Sequence, residues 1–332
     1  MSGNAASGFW GGRRVLVTGG GGFIGSALTR ALVQNGADVL VVDNLSKPQA
    51  SGNLSDVLGK IRFVQADLLE PGVAREYVRE TEFCFHLAAK IGGIAFFHRY
   101  PASSVRDNTL INLNMWEAAR TVEPTPKMVC VSSSMVFERA NVFPTPEKAL
   151  LTSPPPLTGY GFSKLAAEYI ARTYFEEYAI PYVICRPFNA YGPGETHGEY
   201  DGYAHVVPDL IHKVLSCQDP LEILGDGKQT RSFTYVDDLA DAMLTIAQKA
   251  QNDDYNIGTG LETSILELAK KIWALIWKDE EFRVRFTQGY PYDVKRRVPD
   301  VSKLRRLGWS PKVDLDTGLR NTIAYILHSS HG

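Results

Sequence analysis

The stretch Arg13-Arg14-Val15-Leu16-Val17-Thr18-Gly19-Gly20-Gly21-Gly22-Phe23-Ile24-Gly25 decides the fold. Its first six residues read as a buried strand, which enters a glycine loop and leaves it in an amphipathic pattern over residues 23–35. Glycines by themselves mark ordinary tight turns. Between a strand and a helix, Gly19, Gly22 and Gly25 allow a tight turn, a close approach of backbone to a pyrophosphate, and close packing of helix on sheet. The helix start also offers unpaired N–H groups to the anion.

Working outward, residues 38–43, 61–66, 82–87, 127–132 and 181–186 read as further buried strands, separated by helical patterns such as 108–121. This alternation predicts an α/β protein built on a Rossmann-type, doubly wound parallel sheet. Past Arg186 come Gly, Pro and polar residues, then helical segments near 204–216, 236–250, 263–276 and 315–327. Asp254-Tyr255-Asn256-Ile257-Gly258 looks like one more strand. The expected division is a dinucleotide-binding domain over 1–186, with a return to it at about 230–260. Residues 187–229 and 261–332 then form a smaller mixed α/β substrate-binding lobe.

The 332 residues are 44% hydrophobic and 22% charged, ordinary globular usage that argues against a disordered chain. Lys plus Arg number 35 and Asp plus Glu 37, a formal charge of −2. No global field draws nucleic acid or an acidic membrane, so an anionic ligand must meet a local site. Cys84, Cys130, Cys185 and Cys217 lie at least 32 positions apart, which argues against a CxxC metal or redox pair and a disulfide framework. Residues 1–12 lack the apolar core of a signal peptide, and no stretch approaches the ~20 apolar residues of a membrane span. The expectation is a cytoplasmic protein with no metal and no nucleic-acid or membrane partner.

Asp43 closes the second strand about 20 residues beyond the loop, where a carboxylate accepts bonds from ribose hydroxyls and repels a 2′-phosphate. That favours NAD, although Lys47 nearby keeps NADP open. Asp67 ends the third strand, placed either to bond the adenine edge or to cap a helix.

Tyr160-Gly161-Phe162-Ser163-Lys164 opens a helical pattern running to Tyr178. Tyr160 and Lys164, four apart, share one helix face, and an ammonium beside a phenol lowers its pKa toward working pH. This makes a general base for a hydroxyl proton, though such pairs also arise by chance. Ser132-Ser133-Ser134 ends the fifth strand, at the edge where open α/β sheets bind ligands, and serines there are either turn formers or donors to a substrate oxygen.

Taken together, TGGGGFIG, HLAA at 86–89, the serine cluster, YGFSK, and RPFNAYGPGE at 186–195 make the chain resemble the extended short-chain dehydrogenase/reductase superfamily. The likeness is to its nucleotide-sugar epimerase and dehydratase branch and runs from about Arg13 to Leu307-Gly308-Trp309. The resemblance implies NAD held by Gly19, Gly22, Phe23, Ile24 and Gly25, by Asp43 and Asn44, by Asp67 and Leu68, by Leu87, Ala88 and Ala89, and by Tyr160 and Lys164. It implies Tyr160 as base, Lys164 as its partner and Ser133 as hydroxyl donor. Ser134, Asn189, Arg231 and Arg297 would meet the substrate, a nucleotide diphosphate sugar, and an Arg fork suits a diphosphate. As alternatives, Arg231 and Arg297 are surface charge. A homodimer through the helices around 108–120 and 165–178 is implied as well.

Members of this branch begin by oxidising a sugar hydroxyl, usually at C4. The 4,6-dehydratases follow the serine with Asp and Glu, where this chain has Ser134 and Met135. Residues 88–94 and 108–120 resemble GDP-mannose 3,5-epimerase, and 88–94 also resemble GDP-fucose synthase, but both carry a cysteine where Met135 stands. A thioether has no proton to exchange. Tyr203-Ala204-His205-Val206-Val207-Pro208 resembles the segment bearing the catalytic His of GDP-fucose synthase, so His205 is either a ring-carbon acid/base or a structural hydrogen-bonding residue. The expected activity is NAD-dependent 4-epimerisation of an NDP-hexose through a 4-keto sugar. The alternatives are 3- or 5-epimerisation by His205, reduction of a supplied keto sugar, or a catalytically silent dinucleotide-binding regulator, against which the intact trio argues.

Overall fold

The computed structural model describes residues 8–47, 50, 52–79, 81–195, 204–277, 280–289 and 294–329, so Tyr203 lies outside the described residues. Strands β1 (Arg14–Thr18), β2 (Asp38–Asp43), β3 (Arg62–Gln65), β4 (Phe83–His86), β5 (Lys127–Val131), β6 (Tyr182–Pro187) and β7 (Asp253–Ile257) form one parallel sheet. Their spatial order is β7-β6-β5-β4-β1-β2-β3. β1 and β2 bury every residue after their first, and β4 buries all four, because helices cover both faces. That is why these strands read as continuous apolar runs rather than alternations.

The helices are α1 (Phe23–Gln34), α2 (Val73–Val78), α3 (Ile94–Arg99), α4 (Pro101–Arg120), α5 (Gly159–Tyr178), α6 (Val206–Leu215), α7 (Val236–Lys249), α8 (Ile265–Trp277), α9 (Ser302–Arg306) and α10 (Leu315–Ser329). On one face, Ala27, Leu28 and Leu32 of α1 join Leu239, Met243 and Ile246 of α7. On the other, Ile111, Met115 and Trp116 of α4 meet Ala167 and Ala171 of α5. Each fully buried Leu or Met contributes about 1.5–3 kcal/mol. A third cluster, with Leu210, Ile211, Leu221, Leu268 and Leu319, ties α6, α8 and α10 into a lobe of their own.

Two features of this frame make a binding site. Thr18 is in register with Val42 of β2 and His86 of β4, so three strands end at one edge. The strand order also reverses at β1: the chain leaves it toward β2 and β3, then resumes on its other side at β4. A crevice opens at such a switch point.

Candidate active site

The crevice widens into a cleft of about 1160 Å³, lined by the glycine loop, the strand ends and the lobe. Typical single-ligand pockets hold about 300–1,000 Å³, so this one has room for more than one molecule. Gly19 takes φ +70°, and a Cβ there would fall 2.8 Å from the Ala88 nitrogen. A Cβ on Gly25 would fall 2.1 Å from the Gly19 carbonyl oxygen. No side chain caps α1 at Gly22, which leaves its first-turn amides for an anion. Gly22, Phe23, Ile24, Leu68, Leu87, Ala88 and Ala89 also line the cleft.

Asp43 is buried at the end of β2, where it lines the cleft and braces the loop. Its Oδ2 accepts from the Gly21 N–H at 2.9 Å and its Oδ1 from the Leu45 N–H at 2.8 Å. Asp67 caps no helix, because α2 starts only at Val73, with Gly72 at its N-cap. It accepts instead from the Leu69 N–H at 2.9 Å and from the Asn44 amide at 3.2 Å, which brings both residues to the cleft wall.

The trio assembles at the end of β5. Thr158 caps α5 by accepting from the Gly161 N–H at 3.0 Å, and this sets Tyr160 and Lys164 on its inner face, both buried. The three serines separate by partner. Ser132 donates to Glu168 at 2.6 Å, Ser134 is buried in the cleft wall, and the Ser133 hydroxyl accepts from the Met135 N–H at 3.2 Å and acts on the Tyr160 phenol. The charge state differs from the expectation that Lys164 lowers the phenol. Burial pushes Tyr160 above its ordinary value, opposed by the neighbouring Ser133 hydroxyl and the Arg297 charge. Burial pushes Lys164 down to about 8, and its Nζ donates to the Val131 carbonyl at 2.8 Å. Desolvation therefore outweighs the ion–phenol attraction in this arrangement.

On the lobe side, His205 precedes α6 and half of its side chain is open, in the wall of the cleft. Its Nδ1 bonds Glu195, whose carboxylate raises the His205 pKa against the opposing effect of burial. Asn189, at φ +34°, lines the cleft with an Oδ1 that has no partner among the described residues. Arg231 is buried and donates to the Thr230 and Val294 carbonyls at 2.9 and 2.5 Å. Arg297 lies in the same wall, its charge felt by both Tyr160 and His205. Neither arginine is merely a surface charge.

The model of the NAD dependent epimerase/dehydratase family matches residues 15–258. The chain belongs to that family. Among relatives of this NAD-dependent enzyme, UDP-N-acetyl-alpha-D-glucosaminuronate decarboxylase of Bacillus cytotoxicus is 32% identical over 321 residues, covering 94% of this chain and 97% of its own. The UDP-glucose 4-epimerase of Thermotoga maritima, solved with UDP-glucose, shares 32% identity at a TM-score of 0.83, over 96% of this chain and 99% of that one. The UDP-glucuronic acid 4-epimerase of Bacillus cereus, solved with UDP-glucuronic acid and NAD, gives 28% and 0.84 over 95% and 99%. The expected family, the nucleotide-sugar chemistry and the NAD cofactor are therefore established at this level, and a silent regulator is set aside.

Several side chains packed in or beneath the site of this epimerase/dehydratase family member escape sequence reasoning. Thr18 Oγ1 meets His86 Nδ1 at 2.7 Å, and burial, reinforced by the Lys164 charge, pushes that imidazole down to about 3, so it stays neutral beneath the loop. Glu168, wholly buried, grips Arg186 through two 2.6 Å bonds and ties α5 to β6. Its signal lies in the sequence, since Tyr160, Lys164 and Glu168 recur at i, i+4 and i+8. Glu195 and Phe97 carry no such signal.

Proposed function

We propose that this enzyme is a 4-epimerase of a nucleotide diphosphate hexose, with Ser133, Tyr160 and Lys164 as its catalytic group. Bound NAD supplies the acceptor and donor of the C4 hydride. Tyr160 takes the O4 proton while the Ser133 hydroxyl holds that oxygen, and the proton returns when the 4-keto sugar is reduced on its other face. Lys164 holds its ammonium behind the phenol. Asn189, Arg231 and Arg297 hold the diphosphate, and the UDP sugars bound by the solved relatives support UDP as the nucleotide.

The observation that carries this reading is Met135. Its side chain is buried in one apolar cluster with Tyr160, at the position where the resembled ring-carbon epimerases carry a proton-exchanging cysteine, and a thioether has no proton to exchange. Inversion at C4 needs no such group. The contact between His205 and Glu195 favours one further reading, ring-carbon epimerisation with His205 as base. Nucleotide sugars screened by NMR in deuterated water separate the two. Inverted C4 without ring deuterium supports the 4-epimerase, whereas deuterium at C3 or C5 that disappears in His205→Asn moves the assignment to His205. Exposed Leu110, Leu113, Tyr169 and Tyr178 on α4 and α5 support a homodimer, and a monomer by light scattering would rule it out.

A further inference from the structure

The segment Gly92-Gly93-Ile94-Ala95-Phe96-Phe97, between β4 and α4, has no part in the reaction described so far. A Cβ on Gly92 would fall 2.5 Å from the Phe96 Cβ, so the missing side chain lets Phe96 fold back over the loop. Phe96 and Phe97 meet edge to face, with centroids 6.5 Å apart and planes at 80°. Phe97 lies flat on Tyr160, the ring centres 4.5 Å apart and the planes only 8° from parallel. Met135 and Ile91 complete an apolar cluster around the phenol.

We propose that Phe97 is a positioning residue for the base: its ring fixes the plane of the Tyr160 phenol and closes one face of it to water. This rests on Tyr160 being the base. Flat stacking removes the freedom of the ring to rock about its side-chain bonds, and a misplacement of about 1 Å at a reacting group costs on the order of a hundredfold in rate. The negative face of the Phe97 ring and the excluded water both disfavour a phenolate, consistent with the direction in which burial moves Tyr160. The charged groups bearing on the phenol are Lys164 of α5, with Nζ 5.9 Å from the ring centre, and Arg297 from the lobe. Ser133 adds its hydroxyl from the end of β5, and α3 carries His98 and Arg99 beside Phe97.

The test compares Phe97→Leu and Phe97→Tyr in the NAD-loaded enzyme, following kcat and KM for a nucleotide sugar from pH 6 to 10. Phe97→Leu keeps apolar bulk without a flat face. Its plateau kcat should fall about tenfold to a hundredfold with KM within about twofold, and the midpoint of the rising limb should move to lower pH as water reaches the phenol. Phe97→Tyr should restore both. A plateau and midpoint like wild type overturn the proposal, and so does a fall in rate accompanied by a raised KM and an unmoved midpoint. If Phe97→Leu does not fold, Phe97→Met is read by the same criteria. If wild type turns over no nucleotide sugar, the proposed activity fails separately. The ionisation of the phenol, read at 295 nm as the difference from Tyr160→Phe, then decides: a lower-pH transition in Phe97→Leu supports the positioning role, and an unchanged one overturns it.

Discussion

Lys164 places its Nζ 5.9 Å from the centre of the Tyr160 ring, yet donates to the Val131 carbonyl at 2.8 Å. The ammonium is thus held behind the phenol by the end of β5 rather than by the phenol itself. The two groups share a wall of low polarity, which works against charge on either. Burial raises Tyr160 and lowers Lys164, so ionising the base requires an environment that the rest of the catalytic assembly completes.

Tyr160→Phe isolates the proton from the packing, because the Phe ring still stacks on Phe97. Turnover should fall by about 10²–10⁴-fold, the usual worth of acid–base assistance. NAD affinity by calorimetry should stay within about twofold. A loss in rate under about tenfold would remove Tyr160 from the role of essential base.

The Lys164 charge also gives stability a pH signature. Its folded pKa is about 8 against an unfolded value near 10.5, so between those values the unfolded chain holds a proton that the folded chain has released. Stability from this group therefore rises with pH across that window, and the full burial penalty applies below it. Lys164→Met carries no such titrating group. The stability of wild type relative to Lys164→Met, from urea unfolding of the cofactor-free proteins, should rise by on the order of 3 kcal/mol from pH 7.5 to 10.5. A difference that stays flat would mean that Lys164 is not desolvated.

What sequence alone makes legible here is whatever is contiguous or strictly periodic. The glycine loop is one unbroken run between a strand and a helix, and the Tyr160–Lys164 pair is one helix turn. Both can be located without coordinates. The sign of their electrostatics cannot, because it depends on how much wall surrounds them, and Met135, Phe96 and Phe97 reach Tyr160 from two other elements. Glu195 is hidden for a related reason. It closes a Gly-Pro-Gly turn that reads as loop, and its partner His205 meets it only after the chain has passed to the lobe. Asp67 reads in sequence as equally suited to a helix cap, and only the start of α2 at Val73 decides against that.

Glu195→Gln should change the titration of His205. The carboxylate is what raises that imidazole, so without it the His205 signal in NMR should titrate at lower pH. The contribution of the pair to stability is fully present below the unfolded His value near 6.5 and lost as pH climbs through the raised folded value. The variant should accordingly be less stable than wild type at pH 6, with the gap closing by alkaline pH. An unmoved His205 titration would show that the contact carries no charge.

Asp43 makes the last prediction, because its carboxylate has two separable duties. One is the proposed duty of accepting ribose hydroxyls and repelling a 2′-phosphate. The other is visible in its bonds to the Gly21 and Leu45 N–H groups, which hold the phosphate loop in shape. Asp43→Asn keeps one side-chain oxygen for the backbone but loses the charge, whereas Asp43→Ala loses everything. Each charge-assisted bond is worth about 1.5–3 kcal/mol, so Asn should weaken NAD at least about tenfold and Ala should weaken it further. Asn should also narrow the preference for NAD over NADP, since repulsion falls while Lys47 remains nearby. Side-by-side calorimetric titrations with both cofactors check all three statements. Equal losses for Asn and Ala would show that bracing the loop contributes nothing to cofactor affinity. An unchanged NAD-to-NADP ratio in Asp43→Asn would show that something other than the carboxylate excludes the 2′-phosphate.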